Sequence, residues 1–407
     1  MARIHQSGFE MNSLSSNVEW TFIGSSNATT DNLSARTGGF GFHFGPGTSF
    51  SFIGGVSFQF AAAAATGPYF VRGYLRIKTR PNATATVMAL HSGTSAAGDT
   101  PQAKITLESN GTLILRNQSG TQIGSASSAL TSNNWYMVQL KFDASGGAGA
   151  SIIEGQLDGA TFATSSTQSP GNVLAYAVGG NLSGESFATG EWHWDDTALN
   201  DSTGALQIGY PGEGRVVHLR PRTAGDANAF STQTGGTAGS ANNWTRVSDV
   251  APDDATTFNG SPTLNAEDLF KLTPPAWAGI GSNDTITVVL VGGRMRNNLP
   301  DATAAIKLEI EKTTAGTIAQ SAAIVLNTLT FSSNAPAVPR NYPLVLYQDP
   351  DGANWTPASL ANTQIGYKIT TAGSNRFDVT TVWASVDFVQ YTGPPTLPPG
   401  MPLGGVG

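Results

Sequence analysis

Nowhere in the 407 residues is an apolar period of 3.6 sustained, because Gly or Pro interrupts the windows that begin to show one. Such a chain must bury its apolar surface with strands, and alternation of period two recurs along its length. Phe40, Phe42 and Phe44 alternate cleanly after Trp20 and Phe22, and the pairs Phe50–Phe52 and Phe58–Phe60 follow. Residues 69–78 alternate apolar with basic side chains, the pattern of a strand with one wet face. Residues 134–143, Asn-Trp-Tyr-Met-Val-Gln-Leu-Lys-Phe-Asp, make the strongest strand of the first half. Only 12% of residues are charged, against roughly 25% in an average soluble protein. That shortage suits many short strands and turns, and also a surface covered by neighbours, where charge is costly to desolvate.

One stretch organises the first half: Gly-Glu-Trp-His-Trp-Asp-Asp-Thr-Ala-Leu-Asn, residues 190–200. On a strand Trp192 and Trp194 point to one face and His193 and Asp195 to the other. Asp195, Asp196, Asn200 and Asp201 then read as a strand leaving its sheet into a turn. This is the last, core-closing strand of a β-sandwich. Tyr210-Pro-Gly-Glu-Gly214 punctuates the chain, and a second series of alternating segments follows, the strongest at 285–295 and 379–390. The reading is all-β: two tandem jelly-roll β-sandwich domains, 1–208 and 209–392, with a Pro/Gly-rich C-terminal tail at 393–407. Ordering a backbone residue costs about 1–2 kcal/mol, and the tail has little to bury in return. Neighbouring subunits are therefore expected to hold it, with Leu397, Met401 and Leu403 as anchors.

The net charge of −7 gives no footprint for nucleic acid. There is no cysteine, hence no disulfide or thiolate chemistry. The first residues show no apolar core of a signal peptide, and the apolar run at 60–65 is too short to span a bilayer, so synthesis in a cytoplasm is expected. No enzyme is expected. The Glu-x-Asp-x-x-Glu triplet of retaining glycosidases is missing, as is a Gly-x-Ser-x-Gly elbow. Glu191, Asp195 and Asp196 form the nearest carboxylate cluster and read as solvated turn residues, with calcium at Asp195 or Asp196 as the alternative. His5, His43, His91, His193 and His218 have no metal-ligand spacing, so neither metal nor cofactor is expected. For sugar stacking the loop-like Trp244, Trp277 and Trp355 are the candidates, the alternative being that they plug the end of a sandwich. Trp20, Trp135, Trp192, Trp194 and Trp383 lie in alternating strands and read as core.

Two resemblances add to this. The order Asn-Trp-Tyr-x-Val-x-Leu-x-Phe-Asp, Leu-Asp-Gly and Glu-Trp-x-Trp-Asp-Asp resembles a concanavalin A-like, laminin-G-type jelly roll over roughly residues 1–205. The pattern Leu-Arg-Pro, Asn-Trp, Pro-Asp-Asp-x-x-Thr, Asp-Leu-Phe and then Asp-Pro-Asp-Gly-Ala-Asn-Trp-Thr resembles structural proteins of tailed-bacteriophage virions over most of 206–393. That resemblance implies a non-enzymatic virion component, a minor tail or capsid decoration protein, with other virion proteins and further copies of itself as partners. The alternative it leaves is a carbohydrate-binding protein that attaches the virion to a host-surface glycan.

Overall fold

Alternating side chains give each strand two faces, and the way these faces are covered decides the architecture. The computed structural model describes the chain apart from residues 1, 15–18, 21, 26, 46–53, 61–64, 94–99, 181, 184, 255, 300, 302, 313–315, 327–331, 334–343, 372, 374 and 393–407. The tail anchors Leu397, Met401 and Leu403, and the pair Phe50–Phe52, lie outside the described residues.

The first half folds as two antiparallel sheets, one of eight strands and one of seven. In the larger, the order is Ala160–Gln168, Ser151–Leu157, Trp135–Asp143, Tyr69–Thr79, Glu191–Asp201, Gly41–Phe44 and Ala28–Asp31. Arg3–Ser7 also pairs with Glu191–Asp201. In the smaller, the order is Gln122–Ile123, Leu113–Asn117, Pro101–Leu107, Ala85–His91, Ala175–Gly180, Gly54–Gln59 and Phe22–Ser25.

The tryptophan strand is central in its sheet and closes no edge. Trp192 and Trp194 are fully buried, and both indole N–H groups donate to Gly179 O, at 2.8 and 3.0 Å. A β-carbon on the adjacent Gly180 would lie 2.4 Å from Phe44 and 2.5 Å from Trp192, so only glycine fits beneath the indoles. The turn expected at Asp195 and Asp196 does not occur. The strand continues to Asp201 and absorbs the acidic pair as a bulge, its register shifting between Asp195 and Ala198. Asp196 takes the left-handed conformation there, with φ 50°, which Asp tolerates better than most residues.

The second half repeats the plan. One sheet is ordered Thr232–Thr234, Phe258–Ser261, Phe377–Val389, Thr285–Asn297 and Ser332–Ser333, with Arg215–Leu219 and Leu344–Leu346 paired onto its long strands. The other is ordered Pro221–Asn228, Glu267–Leu272, Thr363–Thr371, Ala305–Lys312 and Ile318–Gln320. Between them lie Phe230, Phe270, Val289, Val291, Tyr367 and Phe388, all buried. Helix among the described residues is limited to Pro357–Ala361 and three short 3-10 turns.

The outer faces of the two larger sheets meet. Tyr69–Thr79, expected to present one wet face, is buried along most of its length: Arg72 and Tyr74 meet Asp387 and Gly214 of the second half, while Lys78 stays exposed. At the seam, Asp387 accepts from Arg3 Nη1 at 2.7 Å and from Arg72 Nη2 at 3.1 Å, all three side chains being at most 1% exposed. Gln6 Nε2 donates to Ser385 Oγ at 3.1 Å, and Met11 packs with Val288, Leu290 and Trp383. Breaking a buried pair by removing one partner leaves an uncompensated charge, which costs about 3–5 kcal/mol. Asp387→Ala is therefore expected to lower stability by that amount in urea melts, while the exposed Lys78→Ala changes it by less than about 0.5 kcal/mol. Trp194→Ala is expected to cost about 3–5 kcal/mol in the same assay, as other buried aromatic truncations do.

Candidate functional site

Trp277 is held out from the second sandwich by local sequence. Pro274 and Pro275 start a 3-10 turn, Pro275–Ala278, where a missing N–H and a fixed φ do no harm. Gly279 ends it in the left-handed conformation at φ 80°, and its N–H donates back to Ala276 O and Pro275 O. The turn buries Pro275 but points Trp277 outward, and Trp277 is 68% exposed. The guanidinium of Arg222 sits 4.2 Å from its centroid, a cation–π contact over one face.

Trp277 stands at a cleft of about 580 Å³ on the seam between the sandwiches. Glu10, Gly38 and Gly39 line it from the first half, and Arg220, Thr273 and Trp277 from the second. Gly39 N–H donates to both Glu10 oxygens at 3.0 Å. Gly38 takes the left-handed conformation at φ 63°, which favours glycine, and lies directly against the Glu10 carboxyl. Arg220 ties the halves together beneath the cleft, donating to Glu10 O and Asp249 O at 2.6 Å each.

The other two candidate tryptophans do not join it. Trp355 is 4% exposed and belongs to the second core, and Trp244 is half-buried against that core. Trp135, expected in the core, is half-buried, and Arg76 lies 4.8 Å from its ring centroid.

The acidic pair is neither solvated nor open to calcium. Asp195 Oδ2 accepts from Arg36 N–H and Thr37 N–H at 2.6 and 3.1 Å, and Asp195 Oδ1 accepts from Asp196 N–H at 2.8 Å. Asp196 Oδ2 pairs with Arg36 Nη1 at 2.5 Å, while its Oδ1 accepts from Thr37 Oγ1 and Val216 N–H at 2.6 Å. Every oxygen is already committed to a protein donor. The residues that carry the virion resemblance are framework in the same way. Buried Asn243 donates to Phe230 O and Asp268 Oδ2 at 2.9 and 2.8 Å. Asp349 accepts from Asp351 N–H and Ala353 N–H and pairs with Lys312 at 2.6 Å.

Sequence spacing hid a second cluster, on the outer face of the first sandwich. His43 and His193 are direct partners across neighbouring strands, their ring centroids 4.9 Å apart. Glu191, two residues before His193, shares that face, and its Oε1 lies 3.2 Å from His43 Nε2 and 2.9 Å from Lys78 Nζ. Arg76 Nη2 donates to His193 Nδ1 at 2.5 Å. Burial, with the charges of Arg76 and His43, lowers the His193 pKa to about 4. The signal was present in Glu-x-His on an alternating strand, but the cross-strand partner could be found only from register.

No protein-family model matches this sequence, and no curated protein matches it. Among solved structures it is similar to a cellulose induced protein, at 14% identity and TM-score 0.34, covering 48% of this chain and 95% of that one. Trypanosoma rangeli sialidase in complex with sialic acid gives 14% identity and TM-score 0.34, covering 49% and 30%. A family 7 alginate lyase in complex with product gives 11% and 0.31, covering 44% and 84%. The chain thus matches less than a third of the sialidase's length. Similarity at this level assigns no activity.

Burial raises the Glu10 carboxyl from its ordinary 4.5 to about 8, against the hydrogen bonds from Gly39 and Phe40, which lower it. Above its ordinary pKa the unfolded chain releases a proton that the folded protein keeps. The contribution of Glu10 is therefore complete below about 4.5 and lost as pH rises through about 8. Glu10→Gln is expected to flatten this decline, so that the variant gains on the wild type in urea melts stepped from pH 5 to 8 across that interval.

Proposed function

We propose that this chain is a structural, glycan-recognising module of a phage virion, two fused β-sandwiches that offer the seam cleft to a host-surface sugar. The observation that carries the glycan reading is Trp277, an exposed indole fixed at the rim of a preformed cleft. An indole face is flat and apolar, like the C–H face of a pyranose, and its ring N–H is a donor for a hydroxyl. Convergent polar groups in an otherwise preformed hollow are the usual make-up of a small-ligand site. Here Glu10 and Thr273 supply them. With its pKa near 8 the Glu10 carboxyl is largely protonated at neutral pH and can donate a hydrogen bond.

The virion placement rests on the sequence resemblance alone and is tested separately. An antibody to this chain is expected to label intact particles, and particles that carry no such label would end that part of the proposal. For the cleft, Trp277→Ala is expected to weaken glycan binding at least tenfold, about 1.4 kcal/mol, on a glycan array followed by calorimetry. Its melting temperature should stay that of the wild type, because the ring buries little. A variant that binds sugars as the wild type does would remove Trp277 from the site.

A further inference from the structure

We propose that His43, Glu191 and His193 form a binding site for a divalent transition metal of the zinc class. This site is separate from the seam cleft and does not depend on the glycan reading. Its three candidate ligand atoms lie within 4.8 Å of one another. Two imidazoles and one carboxylate are donors that suit Zn²⁺, Co²⁺ or Ni²⁺ rather than Ca²⁺ or Mg²⁺, which prefer oxygen.

The backbone sets the three groups in place. Glu191 and His193 are two apart on one strand, and His43 is the register partner of His193 on the next. Both strands lie inside their sheet, flanked on each side, so the positions are rigid. Asp31, on the adjoining strand Ala28–Asp31, accepts from His43 Nδ1 at 2.9 Å. Asp31 is itself held by Ser34 N–H at 2.7 Å. A carboxylate behind a histidine in this way fixes the tautomer that leaves Nε2 free to coordinate, and it raises the basicity of the ring.

An independent observation points to a missing partner. His193 Nε2 is buried, has no hydrogen-bond partner among the described residues, and aims into the cluster, 4.0 Å from Glu191 Oε1. Buried polar atoms without a partner are rare and need a reason. A cation between Nε2 and Oε1 would supply one.

Two cations oppose the metal, and they make the proposal specific. A ring that coordinates through Nε2 carries its proton on Nδ1, where Arg76 Nη2 now donates. Arg76 must therefore release His193 when the ion binds. It has somewhere to stay, since it also donates to Leu33 O and lies over Trp135. Lys78, with a side chain 56% exposed, has to leave Glu191 and can turn into solvent. Arg76 accordingly acts as a competitor for the metal.

The experiment is titration of the chelator-treated full chain with Zn²⁺ by calorimetry, repeated with Co²⁺ and read by its visible absorption. One ion per chain is expected. His43→Ala and His193→Ala should each weaken binding at least tenfold, and Asp31→Asn should weaken it about ten- to hundredfold. Arg76→Gln should tighten it, an outcome that a merely structural role for Arg76 does not produce. Melts without metal establish that each variant folds, and saturating Zn²⁺ should raise the melting temperature of the wild type but not of the double variant His43→Ala/His193→Ala. The proposal is overturned if neither wild type nor Arg76→Gln takes up an ion. It is equally overturned if the double histidine variant binds as tightly as wild type, or if Arg76→Gln weakens binding.

Discussion

Asp387 is the carboxylate on which the joining of the two halves depends. Each of its oxygens receives an arginine from the other sandwich, Arg3 at 2.7 Å and Arg72 at 3.1 Å. Two guanidinium groups against one carboxylate would leave an excess positive charge in a dry seam, a costly arrangement unless other acceptors share it. They do. Arg3 also donates to Asn200 Oδ1, Gln6 Oε1 and Gln207 Oε1, and Arg72 donates to Asp196 O and Gly212 O. Arg3 reaches the seam because its strand pairs with Glu191–Asp201 in the first sandwich. The N-terminal strand thus pairs with one sheet through its backbone, packs Ile4 and His5 into that sandwich's core, and sends Arg3 and Gln6 to the other. A chain only 12% charged places several of its arginines inside, where position matters more than number.

The seam also decides which part of the outer sheet face stays available. Along Glu191–Asp201, Asp195 and Asp196 lie fully buried near the seam, with Asp196 bonded to Arg36 and to Val216 at the start of the second half. Four residues earlier Glu191 sits beside the largely exposed Lys78. The bulge at Asp196 belongs to the seam end of the strand, where the carboxylate accepts from Val216 N–H. One strand therefore contributes the indoles to the core, a carboxylate pair to the joint and Glu191 and His193 to a buried polar cluster beside the exposed Lys78.

Much of the fold could be read from the sequence, because the period of two is set by the backbone itself. What could not be read was what covers a face. The pattern at 69–78 does give a strand with apolar and basic sides, but whether the basic side meets water depends on a second sandwich far along the chain. The loop tryptophans show the same division. Trp277 and Trp355 both sit among Pro, Gly and Asn, yet a local signal separated them. Trp355 immediately precedes the cap Thr356 and Leu360 follows four residues later, the spacing of a hydrophobic staple, and both are buried in one core. Trp277 lies inside a turn bounded by Pro275 and Gly279 and has no such partner spacing. The histidine cluster had no readable signal beyond Glu-x-His, since pairing of His43 with His193 depends on strand order.

Rigidity connects the seam to the cleft. Where two domains must close on a ligand, binding costs the entropy of ordering both sides. Here the two walls are fixed before any ligand arrives, Glu10 by Gly39 and by the Arg220 bridge, Trp277 by its two prolines. A fixed cleft loses little freedom on binding, so a modest set of contacts can suffice for recognition. It also cannot adapt, which favours one ligand shape over many. In the proposed glycan reading, the buried ion cluster at Asp387 would bear on recognition as well as on stability, because any slip of one sandwich on the other would move Glu10 away from Trp277.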